Sequence, residues 1–326
     1  MIKNVNVNEL VFSDLFRKDV VDSVNEEMGD FRGKFILTGS RGCGKSTVLT
    51  DREVRSINTE HPAFLTRFDG AGLFGTKDNA YFNKKVMEHY YEIVMTSKFL
   101  HYVKTYYPEV YASKLGAIAE RMGRKTEELD NYINNAIYKD CSIDHKFFSG
   151  EALSEAISLF RNSVGAKSFT LMIDRFDWTH NSDPRVQDIL KNYFSMFEKV
   201  IVTSDDPSLS CMKRRKSLED RGFSFVDMDY SSDLGVVKDI VQRRFDLDDI
   251  TSPEFPIEDV SDEDYLKIID RTQGNLEMVL DTFLYAEGLY HWDTKKSISS
   301  ILEDSCSEKV KSEKQFRKVC RPPKFY

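Results

Sequence analysis

An α/β fold is predicted for this 326-residue chain: a three-layer parallel sheet with a helical insertion and a C-terminal helical lid. Three observations predict it. Short apolar runs at Phe35–Leu37, Phe169–Ile173 and Val200–Val202 have the length and continuity of strands buried on both faces. The first run is followed at once by a Gly-rich loop and then by Ser46 to Ser56, which has the composition of a helix. From Leu234 onward the apolar period is helical, over Leu234–Phe245, Asp262–Thr272 and Asn275–Tyr290.

The loop reads Gly39-Ser40-Arg41-Gly42-Cys43-Gly44-Lys45-Ser46-Thr47. Its Gly39-x4-Gly44-Lys45-Ser46 core is the phosphate-binding loop (P-loop) pattern, and the strand before it and helix after it are the context that pattern requires. Glycine at 39, 42 and 44 permits backbone conformations that side chains forbid. Successive N–H groups can then point at phosphate oxygens, and the helix dipole adds to them. Lys45 supplies a point charge for the outer phosphates. Ser46 offers a hydroxyl to Mg²⁺, with Thr47 behind it. The sheet is therefore expected to be a P-loop NTPase sheet. Cys43 is either a reactive thiol or a small residue that fits, and fit is the simpler account.

Before the loop, Asn8–Phe16 and Val20–Met28 look like short helical pieces. After it, Ala63–Phe68 alternates as a second strand, and the turn-rich Asp69–Gly75 leaves it. Residues 78 to about 165 read as helices. Phe82, Val86, Tyr90, Ile93 and Leu100 mark one apolar face. Pro108 ends that helix. Helices follow at Tyr111–Met122, Thr126–Tyr138 and Gly150–Val164. The tyrosines of this region, including Tyr102, Tyr107 and Tyr111, suit a core or partner surface, with base stacking as the alternative.

The strand at 169–173 ends in Asp174, followed by Arg175, Phe176 and Asp177. An acid at the carboxyl end of a buried strand lies on the edge where open α/β sheets bind ligands. Pro184–Glu198 reads as a helix with proline in its first turn. The strand Lys199–Ser204 ends in the hydroxyls Thr203 and Ser204, and Phe223–Asp227 is a shorter strand. Ser252–Ile257 is a loop between lid helices. Lys309–Tyr326 carries seven basic residues against one acid.

The order of these pieces resembles the AAA+ and STAND-type P-loop ATPases, especially those similar to origin-recognition ATPases. The phosphate loop, Asp174, Thr203-Ser204, Phe223–Ser232, Gln242-Arg-Arg-Phe245 and Thr272-Gln-Gly-Asn-Leu-Glu277 carry the resemblance across most of the chain. It implies a domain at 1–230 with an insertion at about 78–150, a helical lid at 231–300, and a basic C-terminal helix or tail at 301–326. It implies ATP and Mg²⁺ as ligands. Lys45 would grip the β- and γ-phosphates, while Ser46 and Asp174 would hold the metal. Thr203 or Ser204 matches the first sensor position. Arg214, Arg215 or Arg221 matches the place of an arginine that reaches a neighbour's γ-phosphate, against a solvated basic cluster. The family usually has an acid after the metal-side Asp. Arg175 stands there instead, and Asp177 is the candidate general base. The second-sensor arginine is replaced within Gly274-Asn-Leu-Glu277.

Composition narrows the classes. Net charge is −8, so nucleic acid would have to be met by a local patch, and Lys213–Lys216 and the basic tail are the two on offer. Five well-separated cysteines without a Cys-x-x-Cys pair suggest a reduced, cytoplasmic chain without structural zinc. No run approaches the roughly 18 apolar residues of a membrane span, and Met1–Phe12 does not read as a signal peptide. The expectation is an ATP-binding, ATP-hydrolysing switch that assembles with itself or with a separate effector protein, in a setting such as bacterial anti-phage defence. The alternatives are a nucleic-acid-binding loader for replication or transposition, and a non-hydrolysing nucleotide-gated scaffold. The helical lid after Asp227 argues against a small-molecule kinase.

Overall fold

The computed structural model describes residues 24–29, 32–39, 43–67, 84–121, 123–131, 152–176, 184–204, 209, 212–228, 234–247, 255–292 and 296–319. Among them, two compact units form. One holds residues of 22–38 and 46–226, the other residues of 39–45 and 227–326.

The first unit is built on five strands: β1 (Gly33–Thr38), β2 (Ala63–Arg67), β3 (Thr170–Asp174), β4 (Lys199–Thr203) and β5 (Phe223–Asp227). Their order across the sheet is β2-β3-β4-β1-β5. The β2–β3, β3–β4 and β4–β1 pairs are parallel. Register places Leu37 opposite Thr203 and Arg67 opposite Asp174. The carboxyl ends of β1, β3 and β4 therefore meet on one edge. The connection after β1 runs to the far side of the sheet, while the one after β4 passes over β1 to β5. Ligands bind where successive connections part in this way. β3 and β4 are buried at every position, as their apolar runs require. β5, at the sheet's end, buries only Phe223 and Val226.

Helices α1 (Lys45–Ser56), α2 (Lys84–Tyr106), α3 (Pro108–Arg121), α4 (Ala152–Val164), α5 (Pro184–Phe194) and α6 (Met212–Glu219) complete the order of this part of the chain. One core joins Ile36, Phe64, Phe169 and Val202 of the strand region to Phe99, Leu115 and Phe160 of the helices. The helices between β2 and β3 thus share the sheet's core. Phe99 lies 5.6 Å from each of Phe64, Phe160 and Phe169, in edge-on geometry. Such aromatic pairs add about 0.5–1.5 kcal/mol beyond area burial. Tyr102, Tyr107 and Tyr111 are buried in the same cluster, so their rings pack the core and cannot stack on bases. Burial pushes the Tyr102 and Tyr107 hydroxyls above the ordinary tyrosine range. Of the apolar face read from sequence, Leu100 is buried; Phe82, Val86, Tyr90 and Ile93 lie outside the described side chains.

Two expectations change. The helix read as Pro184–Glu198 ends at Phe194, and Glu198 stands just before β4. A helix also forms over Met212–Glu219, where no helix was read.

The second unit contains α7 (Leu234–Leu247), a 3₁₀ turn at Ile257–Asp259, α8 (Asp262–Thr272), α9 (Leu276–Trp292) and α10 (Ile298–Val319). Its own core gathers Val241, Phe255, Ile268, Val279, Phe283 and Leu302. Ser261 caps α8, its side chain accepting from the Asp264 N–H. At the other end Gln273 and Gly274 take positive φ, and the Gly274 N–H returns to the Ile269 carbonyl. Asn275 then caps α9 through the Met278 N–H, 3.1 Å away. The Thr272–Asn275 motif is thus a helix stop followed by a helix start. α10 buries Ile301, Leu302, Ser305 and Cys306, so 301–306 belongs to this core. Lys309 pairs with Asp281 at 3.7 Å and lies over the Tyr285 ring.

Candidate functional site

β1 leads into the phosphate loop at Gly39, whose φ is +149°. A Cβ there would stand 2.3 Å from the Met228 carbonyl oxygen and 2.8 Å from the Cys43 sulfur. Only glycine fits. Gly44 has φ +95°, a second position that glycine alone takes without strain. Cys43 is buried and its thiol is free of disulfide. It fills the space that a side chain at 39 would need. Lys45, 6% exposed, donates from Nζ to the Gly39 carbonyl at 2.9 Å and lies 3.6 Å from the Cys43 sulfur. Its ammonium is therefore folded back over the loop. Ser40, Arg41 and Gly42 lie outside the described residues.

Ser46 and Thr47 open α1, both partly exposed. The Ser46 hydroxyl donates to Asp174 Oδ1 at 2.9 Å. Thr203 Oγ1 donates to the same oxygen at 2.7 Å. Asp174 is 1% exposed, and both bonds go to its Oδ1. The Thr203 hydroxyl in turn accepts from the Arg175 N–H at 2.8 Å. The Thr203 carbonyl accepts from the Phe176 N–H at 2.8 Å. Ser204 is turned elsewhere. Its hydroxyl donates to the Phe176 carbonyl at 2.9 Å, and its N–H donates to Leu37 at 3.1 Å. A relay from Ser46 through Asp174 and Thr203 to the Arg175 backbone thus ties β3 and β4 to α1. Of the two hydroxyls read from sequence, Thr203 is the one joined to Asp174.

Arg175 has φ +56°, in the left-handed region. That conformation costs a non-glycine residue about 1–2 kcal/mol. The two bonds to Thr203 hold it there. Asp177 lies outside the described residues.

The arginines after β4 lie on α6 and in the turn beyond it. Arg215 sits 4.4 Å over the Phe225 ring, a cation–π contact with its own chain. Arg214 is half-buried, while Lys213, Lys216 and Arg221 are exposed. The structure thus leaves the basic side chains of α6 on the surface of the first unit and keeps Arg215 on β5.

Glu53 was missed from sequence. It is buried on α1, accepts from the Leu65 N–H at 2.9 Å, and receives the Tyr106 hydroxyl at 3.3 Å. It pins α1 to β2 and α2. Its place one turn after buried Leu49 and one before buried Ser56 was the available signal.

The sheet, the loop after its first strand and the hydroxyl–carboxylate cluster at the ends of β3 and β4 define an α/β P-loop fold. No family model matches the chain, and no curated protein does. Among solved structures, it is similar to the Aeropyrum pernix ORC2 protein in ADPNP–ADP complexes, at 12% identity and TM-score 0.45, over 94% of this chain and 68% of that one. It is similar to domain III of the Thermotoga maritima replication initiation protein DnaA at 11% identity and TM-score 0.46, over 95% of this chain and all of that domain. C. elegans PCH-2 gives 12% identity and TM-score 0.40, over 96% and 69%. These neighbours are AAA+ P-loop ATPases. At this distance, function has to come from the chain's own residues.

Proposed function

We propose that this chain is an ATP-binding switch that hydrolyses ATP slowly and assembles with itself or a partner in response to nucleotide. The observation that carries the reading is the 2.9 Å bond from Ser46 to Asp174, made directly after the phosphate loop. It brings a hydroxyl and a carboxylate oxygen together at the first turn of α1, the helix that begins at Lys45 and follows the glycine-rich loop in sequence. Hard oxygen donors of this kind suit Mg²⁺, which keeps most of its shell as water and substrate phosphate. Bound Mg²⁺ would neutralise charge building on the β- and γ-phosphates.

The residues then take these roles. Gly39 and Gly44 let the loop N–H groups turn toward phosphate, with Ser40, Arg41, Gly42 and Cys43 between them. Lys45 leaves the Gly39 carbonyl and moves to the outer phosphates. Ser46 and Asp174 hold the metal, and Thr47 supports the first turn. Thr203 keeps Asp174 aimed, through its 2.7 Å bond to Oδ1. Asp177 is the candidate base that takes a proton from the attacking water. Arg215 would complete a neighbour's site only after leaving Phe225. A setting in bacterial anti-phage defence with a separate effector is supported by the sequence resemblance alone.

The test is ATP binding and turnover by wild type, Lys45→Ala and Asp174→Ala, with size measured in the same nucleotide. Wild type is expected to bind and turn over ATP. Lys45→Ala should lose binding, and Asp174→Ala should lose turnover by about 100-fold or more, both with melting temperatures near wild type. Wild type that neither binds ATP nor changes its assembly state would falsify the reading. Binding without turnover, with assembly that Lys45→Ala abolishes, would make the protein a nucleotide-gated scaffold.

A further inference from the structure

We propose that Arg175 is a specificity-determining residue that reads the terminal phosphate and so sets the preference for nucleoside triphosphate over diphosphate. The inference rests on nucleotide binding at Ser46 and Asp174.

Arg175 follows Asp174, whose carboxylate meets the first turn of α1 through Ser46. One residue of separation is about 3.8 Å between Cα atoms. A long arginine side chain therefore starts one residue from the carboxylate proposed to hold the metal. The side chain is exposed while both its neighbours, Asp174 and Phe176, are buried.

The backbone gives the second observation. In a continuing strand, residue 175 would point to the opposite face from Asp174. The left-handed φ of +56° ends that alternation at once. Two hydrogen bonds to Thr203 enforce the turn, from the N–H groups of Arg175 and Phe176. Non-glycine residues persist in such conformations only where the surroundings over-determine them, and they gather at ligand sites. Here the enforcing residue is Thr203, which also holds Asp174. The same hydroxyl therefore sets both the carboxylate and the neighbouring cation.

The third observation is chemical. Among the described residues, the Arg175 guanidinium makes no hydrogen bond or ion pair. Arg161, at the other edge of the same sheet, is held by Glu198. A permanently charged planar fork one residue from the carboxylate that meets Ser46 matches the oxygens of a phosphate. ADP lacks the terminal group that the fork would grip. A cation also cannot accept a proton from water, so its effect falls on binding more than on the chemical step.

Titration calorimetry with Mg·ATP and Mg·ADP on wild type, Arg175→Gly, Arg175→Ala and Arg175→Lys tests this. Glycine removes the charge and also relieves the left-handed strain, so Arg175→Gly should melt at or above the wild-type temperature. It should bind ATP about 10- to 100-fold more weakly, with ADP within about twofold. Arg175→Ala should show the same ATP loss without the gain in stability. Arg175→Lys should fall between, because it keeps the charge and loses the fork. Equal losses for ATP and ADP, or no loss for either, overturn the proposal. Wild type that binds neither nucleotide overturns the site reading and this inference together. Wild type that binds both, with Arg175→Gly unchanged, overturns this inference alone.

Discussion

Two edges of one sheet carry one acid each, and the two acids are answered differently. At the amino edge, Glu198 accepts from the Arg161 guanidinium at 2.7 and 2.9 Å and from the Phe169 N–H at 2.7 Å. Its backbone N–H bonds to Phe169 and its carbonyl accepts from Gly33. Glu198 therefore ties together the entries to β1, β3 and β4. Nearby, the buried Lys199 ammonium is held by the Met28 and Gly29 carbonyls and lies 5.1 Å from the Phe35 ring. At the carboxyl edge, Asp174 ties the exits of β3 and β4 to α1 through the Ser46 and Thr203 hydroxyls. The adjacent cation, Arg175, is exposed and sits on strained backbone. Charge closed within the chain stabilises. Charge held by hydroxyls, with strain beside it, is arranged for a ligand.

The sharpest way to break this contrast is to cut the relay at Thr203. Thr203→Val keeps the shape but removes one donor to Asp174 and the acceptor for the Arg175 N–H. Buried groups left unsatisfied cost about 1–3 kcal/mol. ATP turnover should fall about 10- to 100-fold, because Asp174 loses its orientation and Arg175 its anchor. Steady-state turnover and urea melts read the two effects. Unchanged turnover in a folded Thr203→Val protein would remove Thr203 from the site and leave it a structural bond.

A smaller effect is expected at the amino edge. Glu198→Gln keeps size and part of the hydrogen bonding but discards the charge that holds Arg161. Both side chains are only partly exposed, so the loss should be about 1–2 kcal/mol at neutral pH. ATP affinity should stay within about twofold, because Glu198 precedes β4 at the sheet edge opposite the one where Asp174 ends β3. Urea melts and ATP titrations on the same sample decide it. A large affinity loss with little change in stability would reverse the assignment of the two edges.

The contrast was half visible in the sequence. The phosphate loop, Asp174 and Thr203 stood out because an apolar strand that stops at a polar residue marks its own end. Phe223–Asp227 was read with the boundaries it has, and the strand read as Lys199–Ser204 ends one residue earlier, at Thr203. Glu198 was hidden inside a helix reading four residues too long, since Ser195–Glu198 has no residue that forbids a helix. The helix at Met212–Glu219 was missed because Lys213–Lys216 has no apolar period and only Leu218 is buried. The strand order follows from pairings between residues more than a hundred positions apart, such as Phe35 with Ile201. The left-handed backbone at Arg175 could not be read at all. Arginine has no preference for it, and tertiary bonds to Thr203 impose it.

The finest test of the amino edge is pH. Burial would raise the Glu198 carboxyl, but the Arg161 hydrogen bond, the Phe169 N–H and the Arg161 charge outweigh it and hold the group below the ordinary glutamate value of 4.5. The folded pKa is thus lower than the unfolded one. A depressed carboxyl contributes stability that is complete above the unfolded value and is lost as pH falls through the folded value. The stability gap between wild type and Glu198→Gln should therefore be constant from about pH 7 down to about pH 5.5. It should shrink below about pH 4.5, because protonating Glu198 makes the wild type resemble its own variant. Urea melts of both proteins across that range measure the gap directly. A gap that stays level down to about pH 3 would mean that the carboxylate charge does nothing for the fold, and that Glu198 ties the strand entries through its backbone alone.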